Sequence, residues 1–416
     1  MKENTKSCRT FVIKIAECCN IACKYCYMFK SGDSSFLDKP KFMSPYIARK
    51  AIQRAKEHCE HHDIPVFNLI LHGGEPLLAG IDFVDEFVQM AKEIFKDSKT
   101  KVVVGVQTNG TLIDDKWCEI FKQDKINVGI SLDGIKKYND AFRVDRKGHG
   151  TFERIVKGIR ICKRNGVEPG ILSVINPNCD PLKLYELYKS LNVKGADVLL
   201  LEANYDKKPP KVDEGKYKHS KTPYGDWLID FFDIWYKDDN NFFNRHFYQY
   251  ISSILGAQID GDDMGNQANN ILTIETNGNY EAEDALRICG DHFTTTNVNV
   301  ITNTVDQALE SKLANTYYSS HLKLAKKCIA CPIKETCGGG YLPHRYSTIN
   351  GFNNPSVYCE DLLKLITHVQ NVVFEDINNK YNINFAKMNY EEAQNTINSN
   401  IKKISNKKYF TELENY

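Results

Sequence analysis

Six short apolar runs alternate with amphipathic stretches between residues 9 and 204, and this alternation constrains the fold more than any other feature of the chain. The runs are RTFVIKIA, VFNLILHGG, KVVVGVQTNG, NVGISLDG, EPGILSVIN and ADVLLLEAN. Residues 81–96 are typical of the stretches between them, because their apolar side chains recur with the period of a helix. Strand, helix and strand in repeated order specify parallel strands joined by right-handed crossovers. We therefore predict an α/β fold built on a partial, TIM-like (β/α)6 barrel rather than a flat doubly wound sheet.

The chain has 416 residues, which is too long for a single ordinary core. We predict four segments: the barrel over residues 1–224, a helical bridging region over 225–280, a small cysteine-bearing domain over 281–370 and a helical tail over 371–416. Within the barrel, Ser44 and Pro45 predict the start of a helix that runs to about residue 60, because serine caps helices and proline fits their first position.

Charge and hydropathy exclude several classes of partner. Lys and Arg total 54 against 53 Asp and Glu, for a formal charge of +1, and no basic arm is present to bind nucleic acid or an anionic membrane. The polar start MKENTKSCRT and the lack of a long apolar run argue against secretion and membrane insertion. We expect a cytoplasmic protein with neither a nucleic-acid nor a membrane partner. In that reducing compartment, clusters among the fourteen cysteines indicate metal ligands rather than disulfides.

The first cysteine cluster directly follows the first strand. Cys19, Cys23 and Cys26 have C-x3-C-x2-C spacing, and three thiolates can hold three irons of a 4Fe-4S cluster while leaving the fourth iron open to a ligand. The alternative is a structural zinc site, but such sites usually close with a second Cys pair or a His, and neither follows locally. Cys18 is expected to be a bystander.

This stretch resembles the radical S-adenosylmethionine (SAM) superfamily, in which the C-x3-C-x2-C motif, with an aromatic residue before the last cysteine, ligates the SAM-cleaving cluster. The motifs HGGEP, QTNG, SLDG and NDAFR follow in order, the first three at the ends of the second, third and fourth predicted strands. The resemblance implies SAM and a SAM-binding 4Fe-4S cluster as cofactors. It also implies SAM contacts from seven residues: Tyr25, Gly73, Gly74, Glu75, Asn109, Ser131 and Arg143.

The second cysteine cluster comprises Cys328, Cys331, Cys337 and Cys359. Four thiolates close a cluster completely, so such a site stores or passes electrons, although a zinc ribbon also uses four thiolates. The spacing x2, x5, x21 resembles an auxiliary cluster of the SPASM domains that follow many radical SAM barrels. The resemblance implies at least one auxiliary 4Fe-4S cluster. Tyr341 stands where SPASM domains carry a further cysteine, which leaves Cys289 as the one candidate ligand for another cluster.

Longer motifs, CGGGYLPHRY and GFNNPSVYCEDL, resemble the Fxs/Xye/Grr group of radical SAM/SPASM maturases. That group modifies ribosomal precursor peptides, joining an aromatic ring carbon to the β-carbon of the residue two positions on, which forms a three-residue cyclophane. The resemblance implies a precursor peptide and an external one-electron reductant as partners. Rearomatisation of the ring also releases a proton, and the candidate bases are Asp133, Glu202, Asp206 and Asp291.

Two other classes of function stay open at this point. A different radical SAM peptide modification, such as formylglycine formation, a thioether or ether cross-link, or epimerisation, would share nearly all of these motifs. A zinc- or cluster-bearing binding protein without enzyme activity would share the cysteines.

Overall fold

Parallel strands follow one another across the sheet in the order of the chain. The computed structural model describes residues 7–416, and its sheet has the strand order β6-β5-β4-β3-β2-β1-β7-β8. The strands are β1 (Thr10–Ala16), β2 (Val66–Gly73), β3 (Lys101–Thr108), β4 (Asn127–Ser131), β5 (Gly170–Val174), β6 (Gly195–Leu199), β7 (Ile271–Ile274) and β8 (Tyr280–Glu281). Each of the six predicted strands is present. Since every connection from β1 to β6 steps to the next neighbour, right-handed crossovers place their helices on one face, as in an incomplete barrel.

The sheet has one extension that the sequence did not predict. Strand β7 pairs in parallel with β1, from Thr10 opposite Ile271 to Ile13 opposite Ile274. Strand β8 then returns antiparallel to β7. Both strands are short, so neither shows the residue pattern of a strand in isolation.

Strand register brings the carboxyl ends of β1 to β4 to one edge. Lys14 of β1 lies opposite His72 of β2, and Thr108 of β3 lies opposite Ile130 of β4. In parallel sheets this edge is where ligands bind. The predicted motifs therefore come together here, since each follows one of these strands.

The helices occur between and after the strands. They are α1 (Pro45–His61), α2 (Ile81–Ile94), α3 (Asp115–Gln123), α4 (Lys136–Phe142), α5 (Phe152–Arg164), α6 (Pro181–Ser190), α7 (Pro223–Lys237), α8 (Arg245–Ile254), α9 (Val305–Leu309), α10 (Lys312–Tyr318), α11 (Lys326–Ile329), α12 (Lys334–Cys337), α13 (Cys359–Tyr381), α14 (Tyr390–Asn400) and α15 (Lys408–Glu414). The predicted start of α1 is confirmed, because the Ser44 side chain accepts a hydrogen bond from the Ile47 amide at 3.3 Å. None of these helices in the described part of the chain is long and apolar enough to cross a membrane.

The chain divides into two compact units, each formed by separate stretches of sequence. Unit 1 contains the described residues up to Ser173, together with Leu191–Gly195 and Asn270–Tyr318. Unit 2 contains Val174–Ser190, Ala196–Asn269 and Ser319–Tyr416. These units cut across the four consecutive segments, which stay a prediction.

Each unit has its own core. In unit 1, Phe11 of β1 and Phe67 of β2 are fully buried and meet edge to face, with ring centroids 4.9 Å apart. In unit 2, α7 packs against α13, and its buried Trp227 and Phe231 stack at 5.2 Å. The aromatic residues of α7 therefore serve packing within unit 2.

Candidate active site and iron-sulfur sites

The loop after β1 holds three cysteines at the edge of unit 1. The Cys26 amide donates to the Cys23 carbonyl at 3.2 Å, which folds the two thiols into one turn. Arg146 fixes the start of the loop, because its Nη2 donates to the Cys19 carbonyl at 2.7 Å. Asn109, which follows β3, donates from Nδ2 to the Cys19 sulfur at 3.8 Å. The three thiols are thus positioned by a short loop and by the neighbouring strand ends.

These thiols need a cation to become ligands. Burial raises the pKa of Cys19 to about 12 and that of Cys23 to about 11. The Cys26 thiol further raises both pKa values, and the Cys23 thiol further raises that of Cys19. Burial likewise raises the pKa of Cys26. Thiolates are the metal-binding form, so the positive charge has to come from the bound metal. An iron-sulfur cluster held by three thiolates fits this donor set.

The HGGEP turn packs directly against this loop. The Gly74 amide donates to the Ala16 carbonyl at 2.8 Å, and the Glu75 amide donates to the Cys18 carbonyl at 2.9 Å. A Cβ at Gly74 would lie 2.4 Å from the Cys18 oxygen. The second glycine is therefore required by a close approach of two backbones rather than by a turn alone.

We predict that Gly74→Ala destabilises the protein by about 1–3 kcal/mol, because the new methyl group has to displace the cysteine loop. Denaturant unfolding of the metal-free protein measures this change in free energy of unfolding. Gly170→Ala at the start of β5 is the control, since a Cβ there would meet nothing within 4 Å. Equal stability of the two variants would contradict the close packing of the turn.

Glu75 is completely buried at the strand ends. Its carboxylate accepts hydrogen bonds from Thr108 Oγ1 at 2.7 Å and from the backbone amides of Asn109 at 2.8 Å and Leu77 at 3.1 Å. Burial raises the pKa of Glu75, although these hydrogen bonds lower it. The predicted SAM contacts Glu75 and Asn109 therefore lie side by side.

Tyr25, Asp133 and Arg143 also meet, although they are far apart in sequence. Arg143 Nη1 donates to the Tyr25 hydroxyl at 2.8 Å and lies 3.4 Å from Asp133, which also accepts from Tyr25. The Nε of Arg143 is buried without a hydrogen-bond partner in the protein. A buried guanidinium donor left over in this way fits an anionic group such as the carboxylate of SAM. Ser131, at the end of β4, accepts a hydrogen bond from Gln107 at 3.0 Å.

A buried ion pair beside the cysteine loop was not predicted. Lys14 of β1 is completely buried and pairs with Asp284, which also accepts from the Tyr27 hydroxyl at 2.7 Å. Burial acts to raise the pKa of Asp284, but Lys14 and His72 lower it, and the net shift is strongly downward. The sequence contains no local sign of this pair, because Asp284 follows the unpredicted strand β8.

We predict that Lys14→Met destabilises the protein by about 3 kcal/mol, because it leaves Asp284 as an uncompensated buried charge. Denaturant unfolding at neutral pH measures the loss. The control is Lys136→Met, which removes an exposed partner of Glu153 and should leave stability nearly unchanged. The loss should shrink in acid. Because the pKa of Asp284 is lowered in the folded protein, its charge stabilises the fold at pH values above the ordinary pKa of a carboxyl group. This stabilisation is lost progressively as the pH falls from the ordinary pKa towards the lowered one. A loss that is independent of pH would contradict the ion pair.

The other four predicted ligands line one cavity in unit 2. Its walls include Cys328, Cys331, Cys337 and Cys359, together with Gly339. Burial raises the pKa of Cys328 and Cys331 to about 11 and of Cys359 to about 12, and it raises that of Cys337 well above its usual value. Four thiols around one cavity, one buried and three half-buried, fit a fully ligated 4Fe-4S cluster. Cys289 is not among the residues that line this cavity.

The four candidate bases differ in their surroundings. Asp206 and Asp291 are exposed, and each already accepts a backbone hydrogen bond, from Thr348 at 2.9 Å and from Ser34 at 2.6 Å. Glu202, which follows β6, is half-buried and lies 3.3 Å from Nε2 of His344. Asp133 belongs to the buried group around Arg143. Of the four, Asp133 and Glu202 thus combine restricted solvent access with a fixed partner.

Comparison with known proteins agrees with this arrangement. Residues 13–178 match the sequence model of the Radical SAM superfamily. A cysteine-type anaerobic sulfatase-maturating enzyme from Clostridium novyi (strain NT) is 27% identical over 348 residues, which cover 82% of this chain and 90% of the relative. A serine-type anaerobic sulfatase-maturating enzyme from Bacteroides thetaiotaomicron is 26% identical, covering 84% of this chain and 86% of the relative.

A solved structure has a similar fold. It is native anSMEcpe with bound AdoMet and Cp18Cys peptide, with a TM-score of 0.72 and 23% identity, covering 89% of this chain and 99% of that chain. The predicted barrel fold is confirmed by this likeness and by the family match. The predicted cofactor classes, SAM and 4Fe-4S, are those of the matched superfamily.

Proposed function

We propose that this protein, whose residues 13–178 match the sequence model of the Radical SAM superfamily, oxidises a side chain of a precursor peptide and forms a three-residue cyclophane. One observation supports the peptide-oxidising part of the proposal: the chain combines three thiols on one loop with a separate cavity lined by four. The motifs CGGGYLPHRY and GFNNPSVYCEDL support the cyclophane as the product.

The residues around the cysteine loop have distinct roles in this proposal. The three cysteines of the first loop would hold a cluster that, with SAM bound, supplies a 5′-deoxyadenosyl radical, and the four cysteines of unit 2 would hold a cluster that accepts an electron. Glu75 and Asn109 orient the amino-acid part of SAM, and the free Nε donor of Arg143 binds its carboxylate. Gly73 and Gly74 let the turn after β2 approach the Ala16 and Cys18 carbonyls closely, which places Glu75 beside the cysteine loop.

Cross-linking also needs a proton acceptor. The candidate is Glu202 or Asp133, because each carboxylate is withdrawn from solvent and held by a basic partner. Glu202 is the better candidate for the proton acceptor, because His344 beside it can share the proton. Asp133 is instead held in an ion pair with Arg143.

Formylglycine formation is the second candidate function. It is favoured by the relatives from Clostridium novyi and Bacteroides thetaiotaomicron, which are sulfatase-maturating enzymes at 26–27% identity over most of both chains. Both reactions oxidise a peptide side chain, so the cysteine sites alone do not separate them.

Two sets of synthetic peptides separate these functions. The first set carries an aromatic residue followed two positions on by a residue with β-hydrogens, and the second carries a serine or cysteine in a sulfatase-like segment. We expect the reconstituted enzyme, with SAM and a reductant, to remove two hydrogens from the first set, with a ring-to-β-carbon bond visible by NMR. Capture of the second set by a hydrazide probe, with the first set unchanged, would instead establish an aldehyde product and contradict the cyclophane.

A further inference from the structure

We propose that Arg345 is the buried countercharge of the auxiliary cluster and raises the reduction potential of that cluster. The inference rests on the proposed role of Cys328, Cys331, Cys337 and Cys359 as an iron-sulfur site. Arg345 does not line the cavity between these cysteines, so it acts on the cluster through space rather than as a ligand.

Neutral groups satisfy the hydrogen bonds of Arg345 without balancing its charge. The side chain is completely buried. Its guanidinium donates to four backbone carbonyls, those of Ser320 at 2.8 Å, Lys323 at 2.9 Å, Phe352 at 3.1 Å and Asn354 at 3.2 Å. A buried charge is costly unless an opposite charge lies close to it. Another group has to supply that charge.

Other buried cations in the chain have carboxylate partners. Arg287 pairs with Glu275 at 2.7 Å, and Lys14 pairs with Asp284. Within residues 7–416, no carboxylate lies in ion-pair range of Arg345. Burial lowers the pKa of Arg345, while Cys328, Tyr409 and Cys337 raise it. Two of these three groups are the proposed cluster ligands.

The guanidinium of Arg345 and the thiol of Cys328 both lie close to the point where a side chain on Gly339 would begin. A Cβ built on Gly339 would lie 3.6 Å from Nη1 of Arg345 and 4.0 Å from the sulfur of Cys328. Gly339 has a positive φ of 81° and lines the cysteine cavity. Nη1 of Arg345 and the Cys328 sulfur are therefore no farther apart than the sum of these two distances, and both residues are buried.

The expected effect follows from simple electrostatics. A 4Fe-4S cluster with four thiolates is anionic and gains one more negative charge on reduction. A fixed cation stabilises the reduced form more than the oxidised form, and solvent does not screen it when both are buried. Arg345 thereby favours transfer of an electron onto this site, as oxidation of a peptide side chain requires.

The test compares Arg345→Gln with Arg345→Lys in the full-length chain that also carries Cys19→Ala, Cys23→Ala and Cys26→Ala, which removes the first cluster. A redox titration followed by low-temperature EPR measures the potential of the remaining cluster. Arg345→Gln should lower the equilibrium constant for reduction about tenfold, or about 59 mV for a one-electron couple, whereas Arg345→Lys should retain most of the original value.

The outcomes separate the role of charge from the role of shape. If the Gln variant cannot be loaded with iron and the Lys variant can, charge is needed to hold the cluster, which also supports the proposal. Equal potentials in the parent chain and both variants would overturn it. Equal decreases of the reduction potential in the Gln and Lys variants would also overturn it, because the hydrogen bonds of the guanidinium and not its charge would then control the potential. Absence of a second cluster from the protein with Arg345 intact would instead contradict the proposed function itself.

Discussion

Cys23→Ala should reduce formation of 5′-deoxyadenosine to background, with or without peptide. Cys23 is the middle one of the three proposed ligands on the loop, and its backbone carbonyl accepts from the Cys26 amide at 3.2 Å. A cluster that keeps an open iron for SAM has three protein ligands at this site, so the loss of one leaves too few to hold it. Chromatography of the products after reduction with dithionite in the presence of SAM measures the effect.

Cys18→Ala is the matched control for this prediction. Cys18 contributes its carbonyl, which accepts from the Glu75 amide at 2.9 Å, and alanine retains that carbonyl. The variant should therefore keep most of the activity and the iron of the first cluster. Continued 5′-deoxyadenosine formation by the Cys23 variant, or its loss from the Cys18 variant alone, would show that the ligand assignment is wrong.

Cys331→Ala should uncouple SAM cleavage from peptide modification. Cys331 lines the four-thiol cavity in unit 2, whereas the proposed ligands of the SAM-binding cluster belong to unit 1. The variant should lose iron and form little cross-linked peptide, but it should still release 5′-deoxyadenosine, because the first site is intact. Iron analysis and mass spectrometry of the peptide measure the two effects separately.

Cys179→Ala is the control for that variant. Cys179 is also buried in unit 2, but it does not line the cavity, so its removal should leave iron content and product unchanged. Full peptide modification by the Cys331 variant would contradict the proposed part of the second cluster in the reaction. Loss of zinc rather than iron would establish the zinc alternative.

Local patterns in the sequence predicted the elements that position the first site. Ser44 and Pro45 predicted the start of α1. Six apolar runs predicted six strands, because the residue pattern of each strand lies within its own run. The site motifs could also be placed, because in a parallel sheet each strand end lies beside the next. Tyr25, Asp133 and Arg143 were predicted separately, but their mutual contact depends on how α4 and its neighbouring loops pack.

Contacts between distant parts of the chain could not be predicted. Strand β7 is four residues long, and its pairing with β1 joins segments about 260 residues apart in sequence. Lys14 lies in an apolar strand where a lysine alone indicates nothing about Asp284, and Arg345 lies in a motif whose arginine could equally be a surface residue. Their importance depends on burial and on partners that only the folded chain brings together.

Deuterium transfer tests the central claim most directly. A peptide with an aromatic residue and a β-deuterated residue two positions on is incubated with the reconstituted enzyme, SAM and a reductant. The proposed function predicts that one deuterium appears in 5′-deoxyadenosine and that the peptide is cross-linked at the carbon that lost it. If 5′-deoxyadenosine remains unlabelled and the peptide remains intact, whereas a peptide of a different class is consumed, this protein does not make the proposed cross-link.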